Sequence, residues 1–388
     1  MKTTLKRNSF LPKSRFLIAM LGIAAMPGIA AMLGIALVFA LALAGCGNGL
    51  SDTVTDDGWS DTFTPPMQGD VYVAGSVGYE NPAAVVWKNG EAIRLTDDAM
   101  WSQVSSVYVS GSDVYAAGWA ENIPNLPPGA PAPYHPRAAV WKNGVATHLA
   151  SGLNVAVARS VYVSGSDVYV AGTVDNSSGK TAATLWKNGT ATSLTNGVSM
   201  ANSVYVSGSD VYVAGWEENS GGKNTATVWK NSNAIRLTDG LNHANASGVY
   251  VLGSDVYVSG YEENSSGKNV ATVWINGAAT RLADGSNSAS ANSVYVSDGD
   301  VYAAGHDGNA ATVWKNGAAT RLAGSEYGDY ASSVYVSNND VYAAGTIQYG
   351  KHPHGGGWYR AKLWRNGTET NLENGSADSF ARSVFVVE

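Results

Sequence analysis

The residues in this 388-residue chain best suited to acid–base chemistry are two pairs of neighbouring carboxylates, Glu217/Glu218 and Glu262/Glu263. Two carboxyl groups flanking a glycosidic bond can serve as general acid and general base. Both pairs, however, stand in one repeated context, "WEENS" at 216–220 and "YEENS" at 261–265. A doubled motif reads as repeat ancestry rather than one asymmetric active site. His352 and His354 form an H-x-H in "KHPHGGG". That supplies two ligands where zinc needs at least three from the protein, so a solvated loop is expected. There is no H-E-x-x-H, no G-x-S-x-G and no phosphate-binding P-loop. The chain is therefore expected to be no enzyme, with no cofactor and no metal.

Binding chemistry has better candidates. An aromatic or imidazole beside an acid recurs along the chain, at Tyr79-Glu80, Trp119 with Glu121, Trp216 with Glu218, Tyr261 with Glu263, and His306-Asp307. Aromatic faces stack on sugar C–H groups or cations, and acids take hydroxyls or cations. Glu80, Glu121, Glu218, Glu263 and Asp307 would form an acidic rim, or else cap solvated turns. Two long variable segments, 119–137 and 346–360, carry more. With the neighbouring "DDAMWSQ" (97–103) and "GSEYGDY" (324–330) they contain Trp101, Trp119, Tyr134, His135, Arg137, Tyr349, His352, His354, Trp358, Tyr359 and Arg360. Aromatics and arginines of this kind anchor binding surfaces.

The elements that must position these residues are repeats. "DVYVAG" or a close copy begins at Asp70, Asp113, Asp167, Asp210, Asp255, Asp300 and Asp340. Each unit reads as four short strands: A ("SVYV"), B ("DVYVAG"), C ("ATVWKNG") and D ("ATRL"). Between A and B stand Gly-Ser, Asp-Gly or Asn-Asn, and between C and D stands Asn-Gly in six of seven units. These are the residues that two-residue hairpin turns with positive φ require. Asn231-Ser232 is the exception and should be strained. Strands B and C are apolar on both faces, so each small sheet must be covered on both sides. One Trp per strand C and one Tyr per strand B should pack blade on blade, their polar atoms finding partners at the blade edges.

Four-stranded sheets stacked face to face around an axis make a β-propeller. The chain enters the repeat at strand B and ends on a strand A, "SVFV" at 383–386. The expected fold is all-β: a seven-bladed propeller spanning 70–388, closed by the C-terminal strand completing blade 1. Variation is concentrated in the B–C and D–A loops, which share one face, whereas the A–B and C–D turns on the other face are nearly uniform. Each strand-B Asp should stabilise the tight turn it follows.

The first 45 residues are separate in character. Five basic residues precede an uncharged apolar run from Phe16 to Ala44, ending in "LAGC" with Cys46, the only cysteine. This is the form of an export signal. The "LAGC" stretch resembles a bacterial lipoprotein box, which implies cleavage before Cys46 and lipidation of its thiol. Residues 46–69 read as the lipidated cysteine and an acidic tether. Without residues 1–45 the chain has 19 basic against 31 acidic residues, a net charge of −12, which argues against nucleic acid as a partner. With its repeats, the chain resembles bacterial surface lipoproteins built on Kelch-like propellers, without the Gly-Gly pair of kelch repeats. That resemblance implies an exported, lipid-anchored monomer of the cell envelope, outer membrane or cell surface. The expected function is a non-enzymatic binding module for a protein or glycan. The alternatives are a hydrolase or lyase acting on polysaccharide, and a structural lipoprotein without a ligand.

Overall fold

The computed structural model describes residues 64–78, 81–97, 101–121, 135–150, 154–176, 179–351, 357–375 and 377–388. The leader, Cys46, most of the tether, Glu80, Tyr134, His352 and His354 lie outside the described residues. Among the described residues the chain is all-β: 28 strands in seven four-stranded antiparallel sheets. Six sheets follow chain order. The seventh is completed by the last strand, Ser379–Val386, which pairs with Val71–Val77 of blade 1. The ring closes as the repeat register demands, and no blade is left with an open inner edge.

The two faces of each sheet are buried between neighbouring blades. Tyr212, Ala214, Ala226 and Val228 of blade 4 share a core with Val249, Val258 and Trp274 of blade 5. The same pairing recurs around the ring, each strand-C Trp packing on the preceding blade. All seven of these indoles are at most 1% exposed. The expectation for their polar atoms is corrected. The seven indole N–H groups lie inside the interfaces with no hydrogen-bond partner, because burial of the ring places its edge against apolar neighbours and away from any acceptor.

The repeated hexapeptide has a double purpose. Its Asp receives two bonds. In blade 4 the Lys230 ammonium lies 2.7 Å from Asp210 Oδ2, and Asn231 Nδ2 donates to Asp210 Oδ1 at 2.7 Å. Asn231 Oδ1 in turn accepts from the backbone N–H of Val211 at 2.9 Å, and the ammonium lies 5.2 Å over the Tyr212 ring. The Asp therefore clamps the C–D turn, not the A–B turn that it follows in sequence. Closely similar clamps stand in six blades, with Arg365 in place of the Lys in blade 7. In blade 5 Ile275 replaces the Lys and only the Asn276–Asp255 bond remains. The Asn-Gly turns have φ of 50–52° at Asn and 81–88° at Gly, and Ser232 is forced to +66°. That value is strained for a residue with a Cβ.

The Gly of the hexapeptide faces a β-bulge. Every strand A shifts register once, as between Ala201 and Ser203 in blade 4. The bulge drives a strand-A carbonyl against the strand-B Gly. A Cβ at this Gly in any blade would lie 1.8–2.2 Å from that oxygen. Only a residue without a side chain fits.

Strand A is also longer than its sequence motif. In blade 4 it spans Ser199–Ser207, and the other six are eight or nine residues. The segments preceding "SVYV" look like loop because the bulge breaks the period-2 pattern and because Asn, Ser and Gly are frequent there. Residues 102–103 and 330 thus belong to inner strands. The segment 346–360 is corrected similarly. Asp340–Lys351 and Gly357–Arg365 extend the B–C hairpin of blade 7 well beyond the sheet.

Candidate functional site: a polar funnel at the channel mouth

The inner strands line the central channel, and their bulges decide which side chains enter it. The residue skipped by the register shift is Ser105, Arg159, Asn202, Ser247, Asn292, Ser332 and Arg382 in blades 2 to 7 and 1. All seven line one cavity of about 450 Å³. Gln103, Met200, Asn245 and Tyr330 come from the position two residues earlier, and Trp216 and Tyr261 from the ends of strands B. Both sets sit where strands A begin and strands B end. The cavity is therefore a funnel opening on the face of the B–C and D–A loops.

Further along the same strands the channel narrows to an aromatic ring. Tyr108, Tyr162, Tyr205, Tyr250, Tyr295, Tyr335 and Phe385 follow one another around the axis, each centroid 4.6–5.2 Å from the next. Tilted pairs at this distance suit the ring quadrupoles. Burial raises the Tyr335 phenol to about 12, and it raises Tyr108, Tyr205, Tyr250 and Tyr295 as well, with neighbouring phenols adding to the effect on Tyr108, Tyr205 and Tyr295. Between funnel and ring runs a belt of inter-blade bonds. The Ser after the bulged residue accepts from the backbone N–H of a Val in the next blade, six times at 3.1–3.4 Å. Blade 5 has Gly248 there instead, and Ser259 of strand B occupies the space, its hydroxyl buried without a partner.

The electrostatics of the funnel run against those of the chain. Acidic residues outnumber basic ones, 31 to 24. Yet among the described residues the lining holds two arginines and no carboxylate. Arg159 and Arg382 stand on blades 3 and 1, on either side of Ser105 of blade 2. Arg382 Nη2 donates to Gln103 Oε1 at 3.3 Å. Across the funnel, Asn202 Nδ2 donates to Asn245 Oδ1 at 2.8 Å, and Asn245 Nδ2 to Ser247 Oγ at 2.8 Å.

The residues singled out in the loops are placed differently. Trp101 donates through Nε1 to Asn81 Oδ1. Trp119 is buried in strand B of blade 2 and pairs in register with Gln103. Glu121 is also buried, and its Oε1 accepts from the backbone N–H of His135 at 2.6 Å. Arg137 opens strand C of blade 2. His148 ends an exposed outer strand, and partial desolvation, together with the Arg137 charge, holds it below its ordinary pKa. In blade 7 the Arg360 guanidinium lies 4.7 Å over the exposed Tyr349 ring. Trp358 pairs with Gly350, and Tyr359 lies 5.0 Å from Phe380. These are two patches, one on blade 2 and one on blade 7. They approach each other at the funnel's edge, where Arg382 lies 6.0 Å over Phe380 and bonds Gln103.

Of the rim acids among the described residues, none lines the funnel cavity. Glu218 is exposed, and Glu263 Oε2 accepts from the backbone N–H of His243 at 3.4 Å. Asp307 is half-buried at the end of strand B in blade 6. Consecutive strand residues point to opposite faces, so neither Glu217/Glu218 nor Glu262/Glu263 forms a dyad. The funnel residues had one sequence signal. Within a nearly constant strand, the position before "SVYV" or its equivalent runs Ser, Arg, Asn, Ser, Asn, Ser, Arg.

No protein-family model matches the chain, and no curated protein matches it in sequence. Solved structures are similar to it at low identity. A Pyrococcus horikoshii acylaminoacyl peptidase matches with a TM-score of 0.49 and 12% identity over 84% of this chain. The alignment covers 53% of that peptidase, about half its length. The WD40 β-propeller domain of Doa1 gives a TM-score of 0.44 and 12% identity, covering 80% of this chain and 89% of that one. The β-propeller domain of the Trilobed protease from Pyrococcus furiosus gives 0.47 and 10%, covering 81% and 95%. That domain is described as having an open velcro topology, whereas here the last strand completes blade 1.

Proposed function

We propose that the chain is a non-enzymatic binding module of the cell envelope, anchored by lipid on Cys46, that takes a glycan or protein ligand on the loop face of its propeller. The observation that carries this reading is the funnel. It is concave, of a volume usual for ligand sites, and lined by polar groups that the bulge presents at one depth. A rigid ring with specialised loops on one face needs nothing more in order to bind. The anchor rests on the leader and on the lone cysteine of the "LAGC" stretch. The chain approaches blade 1 from the hairpin-turn face, where Lys88 Nζ donates to Thr64 Oγ1 at 2.8 Å. A tether leaving from there would leave the funnel face open to ligand.

A binding screen against arrayed glycans and envelope proteins tests this, with every hit also assayed for turnover. Saturable binding without product is the expected result. Product formation would replace the reading with a polysaccharide-acting enzyme. Silence across both arrays would favour a structural lipoprotein.

A further inference from the structure

We propose that the funnel recognises an acidic saccharide, one bearing a uronic-acid carboxylate, with that carboxylate held between Arg159 and Arg382. The proposal rests on the binding-module reading and names its ligand class. Three observations carry it.

The first is charge. Among the described residues, guanidinium groups are the only charged groups lining the cavity, in a chain where acids are in excess. An Arg presents five donors in a fork that matches a carboxylate. Arg382 directs one N–H to Gln103, an acceptor that orients the fork without neutralising it.

The second is asymmetry within a symmetric scaffold. The bulge positions are equivalent by repeat, but the arginines occupy only blades 1 and 3, flanking Ser105. The far arc, blades 4 to 6, carries Asn202, Asn245, Ser247 and Asn292 instead. Amide and hydroxyl groups both donate and accept, as sugar hydroxyls require. One ligand with an anionic end and a polyhydroxyl end satisfies both arcs at once.

The third is the aromatic wall. Trp216, Tyr261 and Tyr330 line the same cavity, and they supply flat faces for sugar C–H groups. A peptide ending in a free carboxylate shares the anionic group. It would also need a pocket for an apolar side chain, and around this cavity amides, hydroxyls and guanidiniums outnumber apolar side chains.

The test is calorimetric titration of the full chain with uronic-acid trisaccharides (galacturonate, glucuronate and mannuronate), their carboxyl-reduced neutral counterparts, and a tripeptide with a free C-terminus. Arg159→Gln, Arg382→Gln and the corresponding Lys variants are titrated alongside, with thermal melting as the folding control. At least one uronide should bind, its reduced form at least tenfold more weakly. Each Gln variant should lose at least tenfold in affinity with an unchanged melt, and each Lys variant should recover part of it. Equal binding of the reduced sugar, binding of the peptide alone, or Gln variants that bind as tightly as the native chain would overturn the acidic-saccharide assignment while leaving a binding module in place. Failure of all three uronides also overturns it, and the array screen then decides separately whether the chain binds anything.

Discussion

Gly215→Ala isolates the most demanding contact in the blade. The new Cβ would stand 1.9 Å from the Met200 carbonyl oxygen, 2.9 Å from its carbon and 3.0 Å from Trp229 Cζ3. Ordinary contact begins near 3.4 Å, so the oxygen must retreat by roughly 1.5 Å. It has little freedom to do so. Met200 pairs with Trp216 and Ala201 with Gly215 before the bulge, and Ser203 with Ala214 after it, while the indole is sealed in the blade interface. Overpacking in a tight core costs about 1–3 kcal/mol, and opening the bulge would lose one or two ladder hydrogen bonds at ~1 kcal/mol each. The expected destabilisation is therefore about 2–5 kcal/mol. Urea unfolding followed by tryptophan fluorescence would read this as a midpoint lower by about 1 M or more. Gly197→Ala is the control, since its nearest neighbour would be Thr195 Oγ1 at 3.8 Å, and it should fall within about 0.5 kcal/mol of the native protein. If Gly215→Ala matches that control, the account of the bulge is wrong. So then is the claim that the bulge sets the funnel lining.

Three further outcomes are expected. The tyrosine ring should set an alkaline limit. Tyr335 ionises near pH 12 when folded against 10.0 when free, so its stabilisation is complete below pH 10 and is lost as pH rises towards 12; phenolate absorbance and unfolding should rise together in that window, and a titration with all tyrosines ionising near 10 in the folded protein would count against the ring. The clamps should set an acid limit. Bonds from Lys and Asn hold Asp113, Asp167, Asp210 and Asp300 below the ordinary 3.8; their contribution is present above that value and disappears as pH falls through the depressed one, so Asp210→Asn should destabilise at pH 7 by denaturant titration, and the difference from the native protein should shrink steadily as pH falls below 3.8. The gap in the inter-blade belt should be repairable. Gly248→Ser alone would put its Cβ 2.8 Å from Ser259 Oγ and should destabilise, whereas with Ser259→Ala it should add a bond to Val294 worth ~1 kcal/mol; equal melting of the single and double variants would refute the pairing.

Much of this molecule follows from local rules. Hairpin pairs with positive φ, strands apolar on both faces and a chain that ends on the strand its first unit lacks are enough to determine seven blades and a closed ring. These are short-range constraints repeated seven times, so each copy reinforces the others. The Asp and Asn of the clamp are likewise visible in every unit, and the Lys in five of the seven, although only the folded blade shows that the Asp serves the C–D turn, because strands B and C must pair before Asp210 meets Asn231. The funnel was decided by tertiary structure. A bulge removes the alternation by which a strand is recognised, so the segments that carry Arg159, Asn202 and Arg382 resemble loop. Their joint presence at one depth then depends on ring closure, which brings the last strand, with Arg382, beside blade 2. The same closure, by setting Arg382 against Gln103 279 residues away, makes one site from residues that no spacing connects.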